Sequence, residues 1–233
     1  MIENLRKKIT DFRLKRGFRV LSNYLISMRS RQTVVEIIDF LFSEKAVLIT
    51  PWQFKSEITS LFTLYETLDA KNVLEIGTAN GGTLFGHCRL ANEKATIISI
   101  DLPDGQYGGG YPDWKVPIYK NFAKKNQALH LIRASSHDVE TISQVQQILK
   151  GQQLDYLFID GDHSYEGVKK DFELYHPFVK KGGIIIFHDI VAHIHSSCKV
   201  DQFWKEIKFE FKHVEFIDSP SQECYGVGVL YND

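Results

Sequence analysis

Residues 72–83, NVLEIGTANGGT, decide the fold, because a short apolar run there ends in a glycine-rich turn. Four more apolar runs follow along the chain: TIISID (96–101), LHLIRA (129–134), LDYLFID (154–160) and GGIIIFHD (182–189). Segments of about 20 to 30 residues, most with helical patterning, separate these runs. Near-continuous apolar strands that alternate with helices predict a parallel sheet covered on both faces.

Right-handed crossovers make this a doubly wound, Rossmann-like α/β fold with a mostly parallel sheet. Two further runs, HVEFID (213–218) and YGVGVLY (225–231), are joined by the short link SPSQEC, which predicts a C-terminal antiparallel hairpin. Apolar residues recur at helical spacing over 34–42 and 56–68. We therefore divide the chain into an N-terminal helical cap or oligomerisation segment, residues 1–70, and a Rossmann-like domain, residues 71–233.

Composition limits the class of protein. Hydrophobic residues make up 43% of the chain, which excludes intrinsic disorder. The net charge of −1 hides a basic segment, residues 1–31, with nine Lys and Arg against two Asp and Glu. A helix with a solvated basic face explains this segment better than binding to a membrane or to nucleic acid. We do not expect nucleic acid as a partner.

Targeting and redox signals are weak. No apolar run approaches the roughly 18 residues of a membrane-spanning helix, and the first residues are too charged for a signal peptide. Cys88, Cys198 and Cys224 are widely spaced and form no CxxC pair, which argues against a disulfide framework or a structural zinc site. These features predict a cytoplasmic protein without a transmembrane segment.

The first two strand ends predict the cofactor. Ligands of such sheets bind beyond the carboxyl ends of the strands, and the turn with Gly77, Thr78 and Gly81 allows close backbone approach. Glu75 lies two residues before the first glycine, where it would repel a pyrophosphate and attract a cationic amino acid group. Asp101 ends the second strand, where an acid commonly binds ribose hydroxyls. S-adenosylmethionine satisfies both carboxylates.

An NAD-dependent oxidoreductase is the alternative enzyme class. As a dinucleotide fingerprint, the turn gives Gly77-x-Ala79-x-x-Gly82. Alanine then occupies the position at which the backbone must approach the pyrophosphate. Together with Glu75, this alanine argues against NAD.

The stretch from residue 72 to 231 resembles class I S-adenosylmethionine-dependent methyltransferases. The residues that carry the resemblance are Glu75, Gly77, Gly81 and Asp101, together with the terminal hairpin. The resemblance implies that the glycine turn wraps the methionine part and that Asp101 binds the ribose. It also implies an adenine contact just after the third strand, where Ser135 and Ser136 stand. Ser135 replaces the carboxylate that is usual at its position.

The fourth and fifth strand ends predict the chemistry. Asp160 ends the fourth run and Asp189 ends the fifth. If these strands are neighbours, about 4.8 Å apart, the two carboxylates converge. Carboxylates that close repel unless one is protonated or a cation lies between them. Oxygen ligands suit Mg²⁺, or Mn²⁺ where an imidazole such as that of His188 joins.

DGDHSYEGV (160–168), followed by the GGIIIFHD strand, resembles a narrower group. This group comprises metal-dependent small-molecule O-methyltransferases related to the macrocin and mycinamicin sugar methyltransferases and the cephalosporin hydroxylase-like proteins. The resemblance implies a metal held by Asp160, His188 and Asp189, with His188 in place of an acid, and His163 as the base. The implied function is methyl transfer to a hydroxyl of a small molecule, such as a sugar or a secondary metabolite.

Other interpretations remain open. Residues 162–164 could merely cap the helix that follows, and His188 could be a core histidine. The replacements at Ser135 and His188 also fit a cofactor-binding protein that has lost catalysis. Some relatives carry the name hydroxylase, and that activity would need an iron-binding triad of histidines and a carboxylate. The candidate ligands here are His163, His188 and Asp189. His193 and His195 are expected to be loop residues.

Two regions each allow two interpretations, one that concerns the substrate and one that concerns oligomerisation. Tyr107, Tyr111 and Trp114 lie in a glycine-rich loop, residues 101–117, which we expect to be either a lid over the substrate or a surface loop with aromatic anchors. The N-terminal helices are expected to form a cap over the site or the interface of a homo-oligomer.

Overall fold

The computed structural model of the protein describes residues 2–28, 32–103, 109–193 and 197–233, without the side chains of residues 2–13 and 15. Tyr107 and His195 therefore lie outside the described residues. The helices are α1 (Ile2–Ser27), α2 (Val34–Leu41), α3 (Lys55–Glu66), α4 (Gly82–Leu90), α5 (Val116–Lys120), α6 (Val139–Leu149), α7 (Tyr165–Tyr175) and α8 (Val200–Ile207). The strands are β1 (Asn72–Ile76), β2 (Thr96–Asp101), β3 (Ala128–Arg133), β4 (Leu154–Ile159), β5 (Val179–His188), β6 (Lys212–Phe216) and β7 (Val227–Asn232).

The strands form one seven-stranded sheet in the order β3-β2-β1-β4-β5-β7-β6. Strands β1 to β5 are parallel, whereas β7 runs antiparallel to both β5 and β6. The predicted α/β class, the mostly parallel sheet and the C-terminal antiparallel pair are confirmed. Because β7 lies between β5 and β6, the last strand of the chain is inserted beside β5 rather than added at the edge.

Helices cover both faces of the sheet, which explains why the central strands are apolar at nearly every position. Successive side chains of a strand point to opposite faces. Val73 accordingly packs in one core cluster and Leu74 in the other. Buried side chains of α1 to α4 fill the first cluster, which includes Leu21, Ile37, Phe62 and Phe85. Buried side chains of α7 and α8 fill the second, which includes Val168, Phe203 and Trp204.

The N-terminal helices share a core with the sheet. Helix α2 begins with a capping box, in which Thr33 and Glu36 each bond to the other's backbone N–H. Its neighbour α1 is 26 residues long and buries Leu21 and Leu25. Within the described ranges, no helix is long and apolar enough to cross a membrane. The division of the chain at residue 70 stays a prediction.

Candidate functional site

Two adjoining cavities open beyond the carboxyl ends of the parallel strands. The first, of about 250 Å³, is lined by residues that include Gly77, Asp101, Ser135, Ser136 and His137. The second, of about 240 Å³, is lined by residues that include Trp52, Asp160, His163, His188, Asp189, His193, Cys198 and Tyr225. Gly77, Asp101, Gly109 and Gly161 line both cavities. A single elongated ligand can therefore place one end in each cavity.

Gly77 follows the first strand and lies against the backbone of Asp160, which follows the fourth strand. Its φ is +88°, and a Cβ atom at this position would lie 1.8 Å from the carbonyl oxygen of Asp160. Only glycine allows both the backbone conformation and the close approach. Gly81 is the second such position, since its φ is +84° and a Cβ atom would lie 2.6 Å from the ring of Tyr119. These two glycines shape the turn that separates the cavities from α4.

Asp101 joins this turn to the segment that follows β2. Its Oδ2 accepts hydrogen bonds from the backbone N–H of Thr78 at 3.0 Å and of Ala79 at 2.7 Å. Its Oδ1 accepts from the backbone N–H of Leu102 at 2.7 Å and of Gly110 at 3.0 Å. Burial raises the pKa of Asp101, although these four amides oppose the rise. The carboxylate therefore holds the turn in place at the junction of the two cavities.

The sequence predicts that Glu75 faces the cationic amino acid group of the cofactor, but the structure places its side chain elsewhere. Its side chain is fully buried and lines neither cavity. Nδ1 of His87 lies 2.5 Å from its Oε2, and the Thr83 hydroxyl donates to its Oε1 at 3.3 Å. Burial raises the pKa of Glu75, against the hydrogen bond from His87. Nε2 of His87 bonds in turn to the Tyr156 hydroxyl at 2.9 Å, so Glu75 belongs to a polar network beneath the turn.

Ser135 and Ser136 do lie in the first cavity, where the third strand ends. The Ser135 hydroxyl accepts from the backbone N–H of His137 at 3.1 Å, and the Ser136 hydroxyl donates to Oδ1 of the buried Asp171 at 2.6 Å. Nε2 of His137 lies 3.2 Å from the same oxygen, and this contact raises the pKa of His137. His137 follows the two serines directly and borders the same cavity.

The second cavity brings together all the predicted catalytic and metal-binding residues. Strands β4 and β5 are neighbours, so Asp160 and Asp189 converge as expected. His163 lies between them, with Nε2 3.3 Å from Oδ1 of Asp160 and Nδ1 3.2 Å from Oδ2 of Asp189. Nδ1 of His188 lies 3.0 Å from Oδ1 of Asp160 and 3.4 Å from Oδ1 of Asp189. Two carboxylates and two imidazoles thus form one compact cluster.

Opposite charges inside the cluster shift its pKa values. Burial disfavours the charged imidazole of His163, but Asp160, Cys198 and Asp189 outweigh this effect and raise its pKa to about 11. Burial acts against the charge on His188 too, and the two carboxylates raise its pKa to about 9. Burial alone would raise the pKa of both Asp160 and Asp189, but the neighbouring imidazoles lower it. At neutral pH the cluster holds two negative and two positive charges.

The surroundings of Asp189 fix its orientation. Its backbone has a φ of +65°, in the left-handed region that is uncommon for residues other than glycine. Nε2 of His193 lies 2.8 Å from Oδ1 of Asp189 and 3.0 Å from the backbone nitrogen of Tyr225. The ring of Tyr225 stacks on His188 with the centroids 5.5 Å apart. His193 is therefore part of the site, and not only a loop residue.

The cluster fits a divalent cation. Ligand atoms of Asp160, His188 and Asp189 all lie within 4.8 Å of one another, and so do those of His163, Asp189 and Cys198. Nε2 of His188 is buried and has no hydrogen-bond partner within the described part of the chain. Oxygen and imidazole donors at this spacing suit a cation that accepts nitrogen ligands as well as carboxylates.

Other side chains bear on the open interpretations. Ser164 caps α7 by accepting from the backbone N–H of Gly167 at 3.0 Å, whereas the adjacent His163 faces the cluster. Tyr111 is 1% exposed and packs on Tyr119, so it anchors the loop after β2, while Trp114 is 39% exposed. Trp52, in the connection between α2 and α3, lines the second cavity and had no signal in the sequence beyond its residue type.

Comparison with known proteins identifies the family. A family model described as "Methyltransferase domain" matches residues 74–190, half of the chain. The chain therefore belongs to this methyltransferase family. It is 28% identical over 171 residues to an uncharacterized protein of Sinorhizobium fredii, covering 72% of this chain and 18% of that protein. It is 35% identical over 127 residues to an uncharacterized protein of Acanthamoeba polyphaga mimivirus, covering 52% of each. The chain thus spans less than two thirds of the length of either relative.

Solved structures confirm the fold. The O-methyltransferase TomG of Streptomyces achromogenes, in complex with S-adenosylmethionine, superposes with a TM-score of 0.58 at 12% identity, covering 92% of this chain and 96% of that one. A Bacillus cereus O-methyltransferase in complex with S-adenosylhomocysteine gives 0.54 at 18% identity, with 91% and 96% covered. The mycinamycin-pathway methyltransferase MycE, in complex with Mg and S-adenosylhomocysteine, gives 0.53 at 14% identity, with 87% and 55% covered. The fold is that of S-adenosylmethionine-dependent O-methyltransferases.

Proposed function

We propose that the chain transfers the methyl group of S-adenosylmethionine to a hydroxyl of a small molecule, such as a sugar or a secondary metabolite. The observation that carries this proposal is the pair of cavities that meet at Gly77 and Asp101. The first holds Ser135 and Ser136, which suit a nucleoside, and the second holds the cluster around His163. The family supports methyl transfer, and the acceptor is inferred from the side chains of the second cavity.

The cofactor would lie across the junction. Asp101 would orient the ribose, Ser135 and Ser136 would border the adenine, and the turn around Gly77 and Thr78 would surround the methionine part. When bound, the cofactor supplies an electrophilic methyl group on a sulfonium. The residues of the site then need mainly to orient the acceptor for in-line displacement. Trp52 and Tyr225 offer aromatic surfaces for an acceptor ring at the second cavity.

The cluster would handle the proton of the acceptor. A hydroxyl is almost un-ionised at pH 7, so a positioned base contributes typically about 10²–10⁴-fold to the rate. In its neutral form, His163 would accept that proton as the new O–CH₃ bond forms and the S–CH₃ bond breaks, which leaves S-adenosylhomocysteine. Asp160, His188 and Asp189 would hold a divalent cation, which supplies positive charge that favours the ionised acceptor. Carboxylates that bind the cation stabilise the proton on His163 less. Cation binding therefore favours the neutral, basic form of His163.

Calorimetric titration of metal-stripped protein with S-adenosylmethionine, S-adenosylhomocysteine and NAD tests the cofactor. Binding of both sulfur compounds but not NAD supports the proposal. Binding of NAD alone would show that the glycine turn binds a dinucleotide and would favour the oxidoreductase alternative. Repeating the titration with Mg²⁺ and Mn²⁺ tests the cation. Asp160→Asn and Asp189→Asn should each abolish the metal-dependent heat, and Asp39→Asn, a surface change at the partner of Lys55, should not.

Turnover requires a separate measurement. Transfer of labelled methyl groups to a panel of monosaccharides and catechols should be detected with the wild-type chain. His163→Gln should reduce kcat by at least about 10²-fold while S-adenosylhomocysteine binding is retained. Full turnover in His163→Gln would contradict the base assignment. Tight cofactor binding without transfer to any acceptor would favour the alternative of a cofactor-binding protein that has lost catalysis.

A further inference from the structure

Cys198 lies beside the predicted base, a position that its isolated place in the sequence does not suggest. It precedes α8 and is 3% exposed. The backbone N–H of the next residue, Lys199, donates to the carbonyl oxygen of His163 at 2.8 Å. This bond ties the segment before α8 to the turn after β4. The Cys198 side chain hydrogen-bonds to His163 and lines the second cavity.

Three different donors meet at this point. Ligand atoms of His163, Asp189 and Cys198 lie within 4.8 Å of one another. His163 belongs to the connection between β4 and α7, whereas Asp189 and Cys198 belong to the connection between β5 and α8. In a tetrahedral zinc site, with bonds of about 2.0–2.3 Å, ligand atoms lie about 3.3–3.8 Å apart. Side-chain shifts of roughly 1 Å therefore bring the three atoms to ligand distances.

The donor types select the cation. A thiolate, an imidazole and a carboxylate are the ligands that Zn²⁺ takes in proteins, and they commonly leave a fourth position open. Mg²⁺ strongly prefers oxygen ligands and keeps several waters. The group with Cys198 differs in this respect from the group formed by Asp160, His188 and Asp189, which offers two carboxylates and one imidazole. Asp189 is common to both groups, so the two positions overlap.

We propose that His163, Asp189 and Cys198 form a second metal position, selective for a thiophilic divalent cation such as Zn²⁺. Binding releases the thiol proton of Cys198 to solvent, together with the proton that His163 holds against the carboxylates. A His163 nitrogen that ligates the metal is no longer available to the acceptor proton. The metal position itself is independent of the reaction, and only its consequence, inhibition of methyl transfer by Zn²⁺, rests on the proposed function.

Cobalt spectroscopy tests the position directly. Co²⁺ takes zinc sites and absorbs in the near ultraviolet by charge transfer when a thiolate ligates it. Metal-stripped full-length protein, kept reduced, is titrated with Co²⁺ and then with Zn²⁺. The wild-type chain and Cys224→Ser should show the thiolate band, and Cys198→Ser should lose it. Zn²⁺ should remove the band at stoichiometric amounts, whereas a large excess of Mg²⁺ should leave it. His163→Gln should weaken Co²⁺ binding at least about tenfold.

The outcomes separate the two proposals. Absence of a thiolate band in the wild-type chain, or an unchanged band in Cys198→Ser, overturns the second metal position whatever the cofactor does. Failure to bind S-adenosylhomocysteine in calorimetry on the same sample overturns the proposed function and leaves the band unaffected. Where turnover is measured, Cys198→Ser should raise the inhibiting Zn²⁺ concentration at least about tenfold. Equal zinc sensitivity of the two proteins would overturn the proposed inhibition through Cys198.

Discussion

The carboxylate of Glu75 and the imidazole of His87 meet 2.5 Å apart at a point in the core from which solvent is excluded. Glu75 lies in β1 and His87 belongs to α4, so their contact joins the first strand to the helix that follows it. Removal of one partner from a buried pair leaves the other without compensation. Glu75→Ala should therefore lower the free energy of unfolding by about 1–3 kcal/mol in urea denaturation.

A second variant, Glu75→Gln, distinguishes two roles for Glu75. If Glu75 only stabilises the core, the folded fraction of Glu75→Gln should bind S-adenosylhomocysteine with nearly unchanged affinity. A loss of affinity of more than about tenfold at normal stability would show that Glu75 reaches the cofactor, as the sequence predicts. Glu66→Gln, an exposed position at the end of α3, is the control that should change neither quantity.

Asp101 should be the strongest cofactor determinant on the nucleoside side. Its carboxylate accepts four backbone hydrogen bonds, two from the glycine turn and two from the segment after β2. Asp101→Ala leaves these amides without an acceptor and loosens both walls of the junction between the cavities. The Kd of S-adenosylhomocysteine should rise at least about tenfold, or about 1.4 kcal/mol, in calorimetry.

Asp113→Ala provides the matched control for that measurement. Asp113 pairs with Arg133 at the surface and its side chain is 91% exposed. Its removal should leave the affinity for S-adenosylhomocysteine unchanged. Equal affinities of Asp101→Ala and the wild-type chain would remove Asp101 from the proposed binding site.

His137 should make stability depend on pH. Its contact with Asp171 raises the pKa of His137 in the folded chain above the ordinary value of about 6.5. The folded state therefore holds the proton more tightly than the unfolded state, and the contribution is complete below about pH 6.5. It should decline as the pH rises through the higher pKa of the folded chain. The stability lost in His137→Gln should thus be larger at pH 5.5 than at pH 8.5 in urea denaturation.

His130 provides a control of opposite sign. Burial first, and the charge of Lys150 next, lower the pKa of His130 in the folded chain. The folded state then disfavours the proton, so this histidine reduces stability as the pH falls below about 6.5. His130→Gln should therefore gain relative stability at low pH. The same pH trend in both variants would show that neither histidine is the cause.

The parts of the fold and site that follow from local pattern were predictable. The apolar runs that end in Asp160 and Asp189 predict strands, and adjacent parallel strands must bring their carboxyl ends together. The turn around Gly77 also follows from sequence, since only glycine allows its φ of +88°. These features depend on residues that are close in the chain or on strand order alone.

The remaining features depend on contacts made only after the chain folds. The partner of Glu75 is a histidine on the following helix, and the local motif does not show which side of the turn its carboxylate faces. Trp52 enters the second cavity from the connection between α2 and α3, and Cys198 enters it from the segment before α8. A sequence shows neither approach, because both are set by the packing of helices against the sheet.

Glu57 should stabilise the connection that leads from β6 into β7. It lies on α3, is 1% exposed, and accepts at Oε1 from Nε2 of Gln222 at 2.7 Å and from the backbone N–H of Asp218 at 3.3 Å. Its Oε2 accepts from the backbone N–H of Gly226 at 3.2 Å. Glu57→Ala leaves these donors unsatisfied and should lower the free energy of unfolding by at least about 2 kcal/mol.

The location of the change should be visible in amide hydrogen exchange. Residues 217–226 connect β6 to β7 and include Tyr225, whose ring stacks on His188. Glu57→Ala should accelerate exchange in this connection more than in the central strands, because it releases local contacts while the sheet persists. Glu66→Ala, an exposed position on the same helix, should leave both stability and exchange unchanged. Uniformly faster exchange across all strands would mean that Glu57 stabilises the whole domain and not specifically the connection between β6 and β7.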